Sequence, residues 1–421
     1  MNRKLSFIIF VLLLGSLALS ACGSLLNAAE EVVQGDYGPV YSSQEHQTRT
    51  FDAAWKYLTE NYIHYDTADV DWDAIHAKYQ SQIDAGLSNA EFSDLMGELE
   101  ADLPLGALVY QSRSERIEAD IADSATYEGI GAIVGFQKEE KPHVVILDVM
   151  DGSPAEEAGL QPHDSIYQID GDPILLDEGL TVVNRIRGPA GSTVTLQVQT
   201  PGETERAVEV TRGKLVSSGK LEAHEIEGTN YGYILFPPLS YQDMTQDVLK
   251  SLQEFTTNKK LDGLILDLRV AGSTRGWPLQ DLLIMFHNGE IGEFYNREDQ
   301  VQPLSIQGDD YLSSQTVPLV ILTGSNTSGS PEILAASLQA GKRATIIGQT
   351  TSGAVEVTEA FYLPDGSRIF IETGSFRLAN GEEVGADGLQ PDVLLDAGWD
   401  DVQPNADPVL DRAIEILDEQ K

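Results

Sequence analysis

Residues 320–357 read VILTGSNTSGSPEILAASLQAGKRATIIGQTTSGAVEV, and this stretch decides the fold. It opens on a short continuous apolar run, the signature of a strand buried on both faces. A turn of Gly, Ser, Asn and Thr follows. Pro331 then sits where proline suits the first turn of a helix, with Glu332 behind it. A second buried strand and a glycine loop complete the unit. A turn that carries small hydroxyl residues onto a helix N-terminus is a place where hydrolases keep a nucleophile and its oxyanion hole.

Working outward, the same alternation recurs. Apolar strands are predicted at 231–236, 263–268 and 318–323, with helical patterns at 241–255 and 278–285 and a last helix from Asp407 to about Leu417. Strands alternating with helices at this spacing argue for an α/β core with a mostly parallel sheet covered by helices. This core is assigned to 215–421. Residues 51–120 read as an N-terminal helical segment: Phe51, Trp55, Leu58 and Tyr62 recur at helical spacing. Further helices are expected over 72–85, with Asp71 as N-cap, and from about Asn89 to Leu103. The acidic cluster Asp66, Asp69, Asp71 and Asp73 lacks the glycine and closing glutamate of a calcium loop, so it reads as turn and cap residues. Between helices and core, 127–214 is built from short β-type runs broken by Gly, Pro and Asp.

The composition, 41 % hydrophobic and 7 % aromatic, is that of a chain able to bury a core. The formal charge of −40 repels nucleic acid and anionic lipid, and no nucleic-acid partner is expected. No metal or organic cofactor is implied. Cys22 is the only cysteine, so no intramolecular disulfide can form. It closes a segment in which a short basic start leads into an apolar run from Leu5 to Leu19 and then Ser20-Ala21-Cys22. That pattern is a signal peptide rather than a membrane span. Leu19-Ser20-Ala21-Cys22 resembles the lipobox of bacterial lipoproteins, which implies cleavage before Cys22 and lipidation of its thiol. The expectation is a signal peptide over 1–21, a tether over 22–50, and a mature protein held by lipid at the cell surface or periplasmic face.

The β-type region resembles a PDZ domain. The match is carried by Gly129-Ile130-Gly131-Ala132, by Gly152 to Leu160 (GSPAEEAGL), by Asp164-Ser165-Ile166 with Ile169-Asp170-Gly171, and by Arg187 to Ser192 (RGPAGS). The resemblance implies that the Gly129–Ala132 loop offers backbone N–H groups to a peptide C-terminal carboxylate while the peptide adds as a strand. Taken whole, the chain from Phe51 onward resembles the carboxyl-terminal processing, or tail-specific, serine peptidases. It shares with them the order of helical segment, inserted PDZ and α/β core, and the runs Leu264 to Arg269, Glu332 to Gln339 and Lys342 to Thr345.

The family implies a Ser/Lys dyad in which a desolvated lysine takes the proton of an attacking serine. Position by position, the nucleophile register falls on Gly329, three residues before Glu332, and the lysine register falls on Ala354. The polar residue expected four positions later is Thr358. The glycine loop after Asp267-Leu268-Arg269 reads Val270-Ala271-Gly272-Ser273-Thr274, so Gly272 and Gly329 are the candidate oxyanion positions. Ser328 and Ser330 flank the nucleophile register and are candidate displaced nucleophiles, although Ser330 before Pro331 also reads as a helix N-cap. Beyond Glu332 the only lysines are Lys342 and Lys421. Three readings follow. The chain is a tail-specific-protease-like lipoprotein that binds unstructured or C-terminal protein segments without cutting them, or an active serine endopeptidase using Ser328, or a structural envelope lipoprotein. A homodimer is compatible with each.

Overall fold

A computed structural model of the chain describes residues 43–421, apart from 105, 123–126, 139–140, 177, 216–218, 258, 273–275, 386 and 404–405. Cys22 and the expected signal peptide lie outside the described residues. The N-terminal helices are Ser43–Asn61, Trp72–Asp84 and Asn89–Asp102. The first begins inside the stretch read as a tether, because Gln47, Thr50, Phe51 and Ala54 form one buried face. Asp71 caps the second helix, as expected, by accepting from the Ala74 N–H. Ser88 and Glu91 form a reciprocal capping box on the third. The acidic cluster has other partners too, since Asp66 takes both Nε and NH2 of Arg297. Among the described residues, no helix is long and apolar enough to cross a membrane.

The α/β core holds a six-stranded sheet in the order Glu222–Glu225, Tyr231–Leu235, Gly263–Asp267, Leu319–Thr323, Thr345–Gly348, Val393–Leu394. The first pair is antiparallel and the later pairs are parallel. Its middle strands are buried on both faces, which is why they read as unbroken apolar runs. Leu264, Leu266 and Ile321 face the helices Met244–Phe255, Leu279–Phe286 and Ser330–Ala340. Ile265, Val320 and Leu322 face the last helix, Pro408–Glu419.

A mostly parallel core is too narrow a description. The core also contains a second, wholly antiparallel sheet of Val109–Gln111, Arg368–Leu378, Gly289–Asn296, Val301–Ile306 and Val357–Tyr362, so it is mixed. The hairpin 289–306 was not foreseen. Its strands carry Gly, Glu, Asn, Gln and Pro in place of an alternating apolar pattern, and Phe294 is held by Phe376 across the sheet with ring centres 5.0 Å apart. The N-terminal helices pack on the opposite end of this sheet, through Ile369, Ile371 and Leu363.

The inserted domain is an antiparallel sheet in the order Ala132–Gln137, His143–Val149, Ser165–Ile169, Thr193–Gln199, Arg206–Thr211, with the short helices Pro154–Glu157 and Val183–Ile186. Ala132–Gln137 is an edge strand, paired on one side only among the described residues. Its core is a separate cluster of Val144, Ile146, Ile166, Leu196 and Val198.

Candidate functional site

The strand Leu319–Thr323 delivers the chain into a turn held from within. Thr327, fully buried, donates to the Leu268 carbonyl at 2.8 Å and accepts from the Gly324 N–H at 2.9 Å. The Ser328 N–H reaches the Ala271 carbonyl at 3.1 Å. The turn is thereby fastened to the loop that leaves the strand Gly263–Asp267. Gly329 follows as the N-cap of the helix, with φ 68° and ψ −125°. A side chain at that position would be strained. A strained strand-to-helix turn is the geometry a nucleophile elbow imposes, and glycine occupies it here without strain.

The positions assigned to the dyad do come together, but on a carboxylate. Glu332, at the third helical position and fully buried, accepts the Gly329 N–H at 2.7 Å and the Ala354 N–H at 2.9 Å through Oε2. Its Oε1 accepts the Gly353 N–H at 2.7 Å and the Thr351 hydroxyl. The Ser352 hydroxyl lies 3.3 Å from Oε2. A buried carboxylate without a cation survives only with such a set of donors. The helix N-terminus adds a favourable dipole. The Thr351 hydroxyl accepts in turn from the Leu389 N–H at 2.7 Å, extending the network to the next segment.

Two expectations are corrected. Ser330 is not the N-cap but the first residue of the helix, and the cap is Gly329 with Glu332 closing back on it. Gly329 is not an open oxyanion donor, because its N–H is given to Glu332. Ser328 is half-buried, and among the described residues its hydroxyl has no hydrogen bond. It sits 3.4 Å from where a Cβ on Gly272 would lie, and the Pro238 carbonyl is 3.2 Å from the same point. Ser328 and Gly272 are thus neighbours. The remainder of that glycine loop, 273–275, is outside the described residues. Glu332 as the hub was not recognised from sequence. The signal was there: a glutamate three residues after the turn glycine is the spacing of a capping box.

Behind the turn, Arg269 is buried between two carboxylates. Its NH2 lies 2.6 Å from Asp267 and 2.7 Å from Asp407, which also caps the last helix through the Val409 and Leu410 N–H groups. Tyr233 donates to Asp267 at 2.6 Å. Burial, opposed and outweighed by Arg269, leaves the Asp407 carboxyl below its usual range. On the other flank, the half-buried Glu372 carboxyl is pushed up to about 7, first by burial and then by Glu356.

The Gly129–Ala132 loop of the inserted domain is built differently. Gly131 has φ 82°, and a Cβ there would lie 2.4 Å from that of Ser153, so only glycine fits. The carbonyls of Ile130 and Gly131 accept from Ala155 at 2.7 Å and Met150 at 2.9 Å. Among the described residues the N–H groups of Ile130 and Gly131 meet no acceptor. Gly129 pairs with Gly213, and Ala132 begins the edge strand. This edge strand is coupled to the turn, since Asn326 packs onto Gly135, where a Cβ would meet its Oδ1 at 2.2 Å.

Comparison with known proteins supplies the frame for this geometry. Residues 230–395 match the profile of peptidase family S41, 43–101 that of the tricorn protease C1 domain and 145–200 that of a PDZ domain. A carboxyl-terminal-processing protease of Picosynechococcus is 29 % identical over 363 residues, 81 % of each chain. The carboxy-terminal processing protease CtpB of Bacillus subtilis is 28 % identical over 297 residues, 68 % of this chain and 59 % of its own length. The solved photosystem II D1 C-terminal processing protease superposes with a TM-score of 0.63 at 23 % identity, over 87 % of this chain and 96 % of that one, a likeness of fold. The chain belongs to peptidase family S41, with a tricorn C1 segment and a PDZ domain, and is homologous to the carboxyl-terminal processing proteases.

Proposed function

We propose that this protein is a tail-specific-protease-like binder of protein C-terminal or unstructured segments, in which proteolysis has been lost. The observation that carries the reading is the Glu332 carboxylate bonded to both dyad positions, Gly329 and Ala354. Neither residue has a side chain able to attack a carbonyl or to take a proton, and a serine without its base loses most of its activation. Binding would fall to the PDZ loop, Gly129, Ile130, Gly131 and Ala132, in which the Ile130 and Gly131 N–H groups, without an acceptor among the described residues, suit a carboxylate. Lipidation at Cys22 would hold the protein at the membrane, outside the cytoplasm.

A second reading rests on Ser328, whose hydroxyl has no hydrogen bond among the described residues and lies beside Gly272. One experiment separates the two. The chain is incubated with an unfolded protein and with a fluorophosphonate probe, and peptides with free and amidated C-termini are titrated in parallel. Under the first reading there is neither cleavage nor labelling, and the free C-terminus binds at least tenfold more tightly. Labelling that disappears in Ser328→Ala would establish the second, and equal binding of both peptides would remove carboxylate capture. Growth with labelled palmitate tests the anchor, since label absent from the protein, or retained in Cys22→Ser, would exclude it.

A further inference from the structure

We propose that the PDZ domain is clamped to the α/β core by a proton-operated latch, in which two histidines of the PDZ make opposite demands on the pH. Both grip one short core segment, the turn of helix Trp399–Asp401. Trp399 is the wedge: it packs with Val145 and Leu147 of the PDZ and Val270 of the core, and its indole N–H donates to the Ile146 carbonyl at 3.2 Å. His143, 1 % exposed, places Nε2 3.0 Å from Asp400 Oδ2 and Nδ1 3.0 Å from the Lys141 carbonyl. His163 places Nδ1 2.6 Å from the Trp399 carbonyl, and its ring lies 4.1 Å from the indole.

The chemistry follows from donors and acceptors. A carbonyl only accepts. Asp400 is raised by burial but lowered further by His143, so its carboxyl titrates below the usual range and is acceptor-only near neutrality. Both nitrogens of His143 therefore face acceptors, and only the imidazolium, with two N–H groups, satisfies both. His163 has the opposite need. One donated N–H satisfies the Trp399 carbonyl, while burial, with Arg269 adding to it and the Trp399 carbonyl, Asp407 and Asp267 opposing, holds its ring below the ordinary imidazole value.

The remaining groups near the latch are occupied. Lys141 pairs with Glu205 and lies over the Tyr167 ring, which itself packs on His143. Arg269 pairs with Asp267 and Asp407. The docked state holds a proton at His143, so docking weakens as pH rises through its deprotonation. It excludes one at His163, so docking also weakens as pH falls below about 6.5. The clamp is tightest between these limits.

The test is amide hydrogen exchange of 143–149 and 398–401 in the full chain from pH 5 to 9, corrected for intrinsic exchange, with exchange of 319–323 reporting that the core stays folded. Protection is expected to peak in mid-range and to fall by up to about tenfold per pH unit on the alkaline side. Asp400→Asn and His143→Gln should flatten the alkaline limb and leave the acid limb. His163→Gln should flatten only the acid limb. An alkaline limb that survives in Asp400→Asn overturns the latch. Should the variants unfold, the 15N spectrum of His143 in the unmodified chain decides. Two protonated ring nitrogens at mid-range pH support the latch, and one bare nitrogen sinks it.

Discussion

The turn ending at Gly329 and the loop at Gly129–Ala132 are both glycine-bearing connections with φ near +70° to +80°, yet they treat their backbone N–H groups in opposite ways. Gly329 of the turn, with Gly353 and Ala354 of the loop after Thr345–Gly348, donates to one buried carboxylate. In the PDZ loop, Ile130 and Gly131 spend only their carbonyls inside the fold and leave their N–H groups without an acceptor among the described residues. A donor already bonded inside the protein cannot stabilise a developing oxyanion without losing that bond. A donor held free by a rigid glycine loop is prepared for an incoming carboxylate. The difference teaches that two glycine loops of similar backbone conformation can differ in which donors stay available: the Gly329 N–H is spent inside the fold, while those of Ile130 and Gly131 meet no acceptor among the described residues.

The largest expected effect comes from breaking the closed side. Glu332→Ala strands the Gly329, Gly353 and Ala354 N–H groups and the Thr351 hydroxyl, and should cost about 3–5 kcal/mol of core stability in urea unfolding. Glu332→Gln keeps part of the acceptor set and should cost less. A loss below about 1 kcal/mol for the alanine variant would mean the hub is not what holds the turn.

The open side should break differently. Gly131→Ala sets a side chain at φ 82° and 2.4 Å from Ser153. It should destabilise the PDZ by about 2–3 kcal/mol and weaken binding of free-C-terminal peptides more than tenfold. The core transition should be unaffected, and calorimetry that resolves two transitions would check this. Unchanged peptide affinity would count against the loop as the capture site.

The smallest effect sharpens the electrostatic contrast around the turn. Glu372 titrates near 7 in the folded chain against an ordinary 4.5. Below about 4.5 both folded and unfolded forms carry the proton. Between the two values only the folded form keeps it, so stability falls as pH rises and the loss is complete above 7. Glu372→Gln should therefore gain about 1–3 kcal/mol at pH 8, the gain vanishing towards pH 4. A gain independent of pH would place its origin in packing instead.

Much of this molecule was legible from local pattern. Parallel strands such as Leu319–Thr323 must be apolar throughout, and helix caps such as Asp71 and Asp407 need particular side chains at particular positions. The register that sets Gly329 and Ala354 at the positions where the resemblance implies a serine and a lysine was also read from the sequence. The hairpin 289–306 was not, since its polar strands owe their conformation to pairing with Arg368–Leu378 rather than to their own composition.

The sequence by itself determined the order of helical segment, PDZ domain and α/β core, because this depends on residue type and spacing. Only the tertiary structure decided that Glu332 accepts from both Gly329 and Ala354, that Asn326 abuts the PDZ edge strand, and that His143 and His163 meet the segment around Trp399 more than two hundred residues away. Those are meetings of groups far apart in the chain, and the strength of a carboxylate or an imidazole there is set by burial and by partners that no local pattern records.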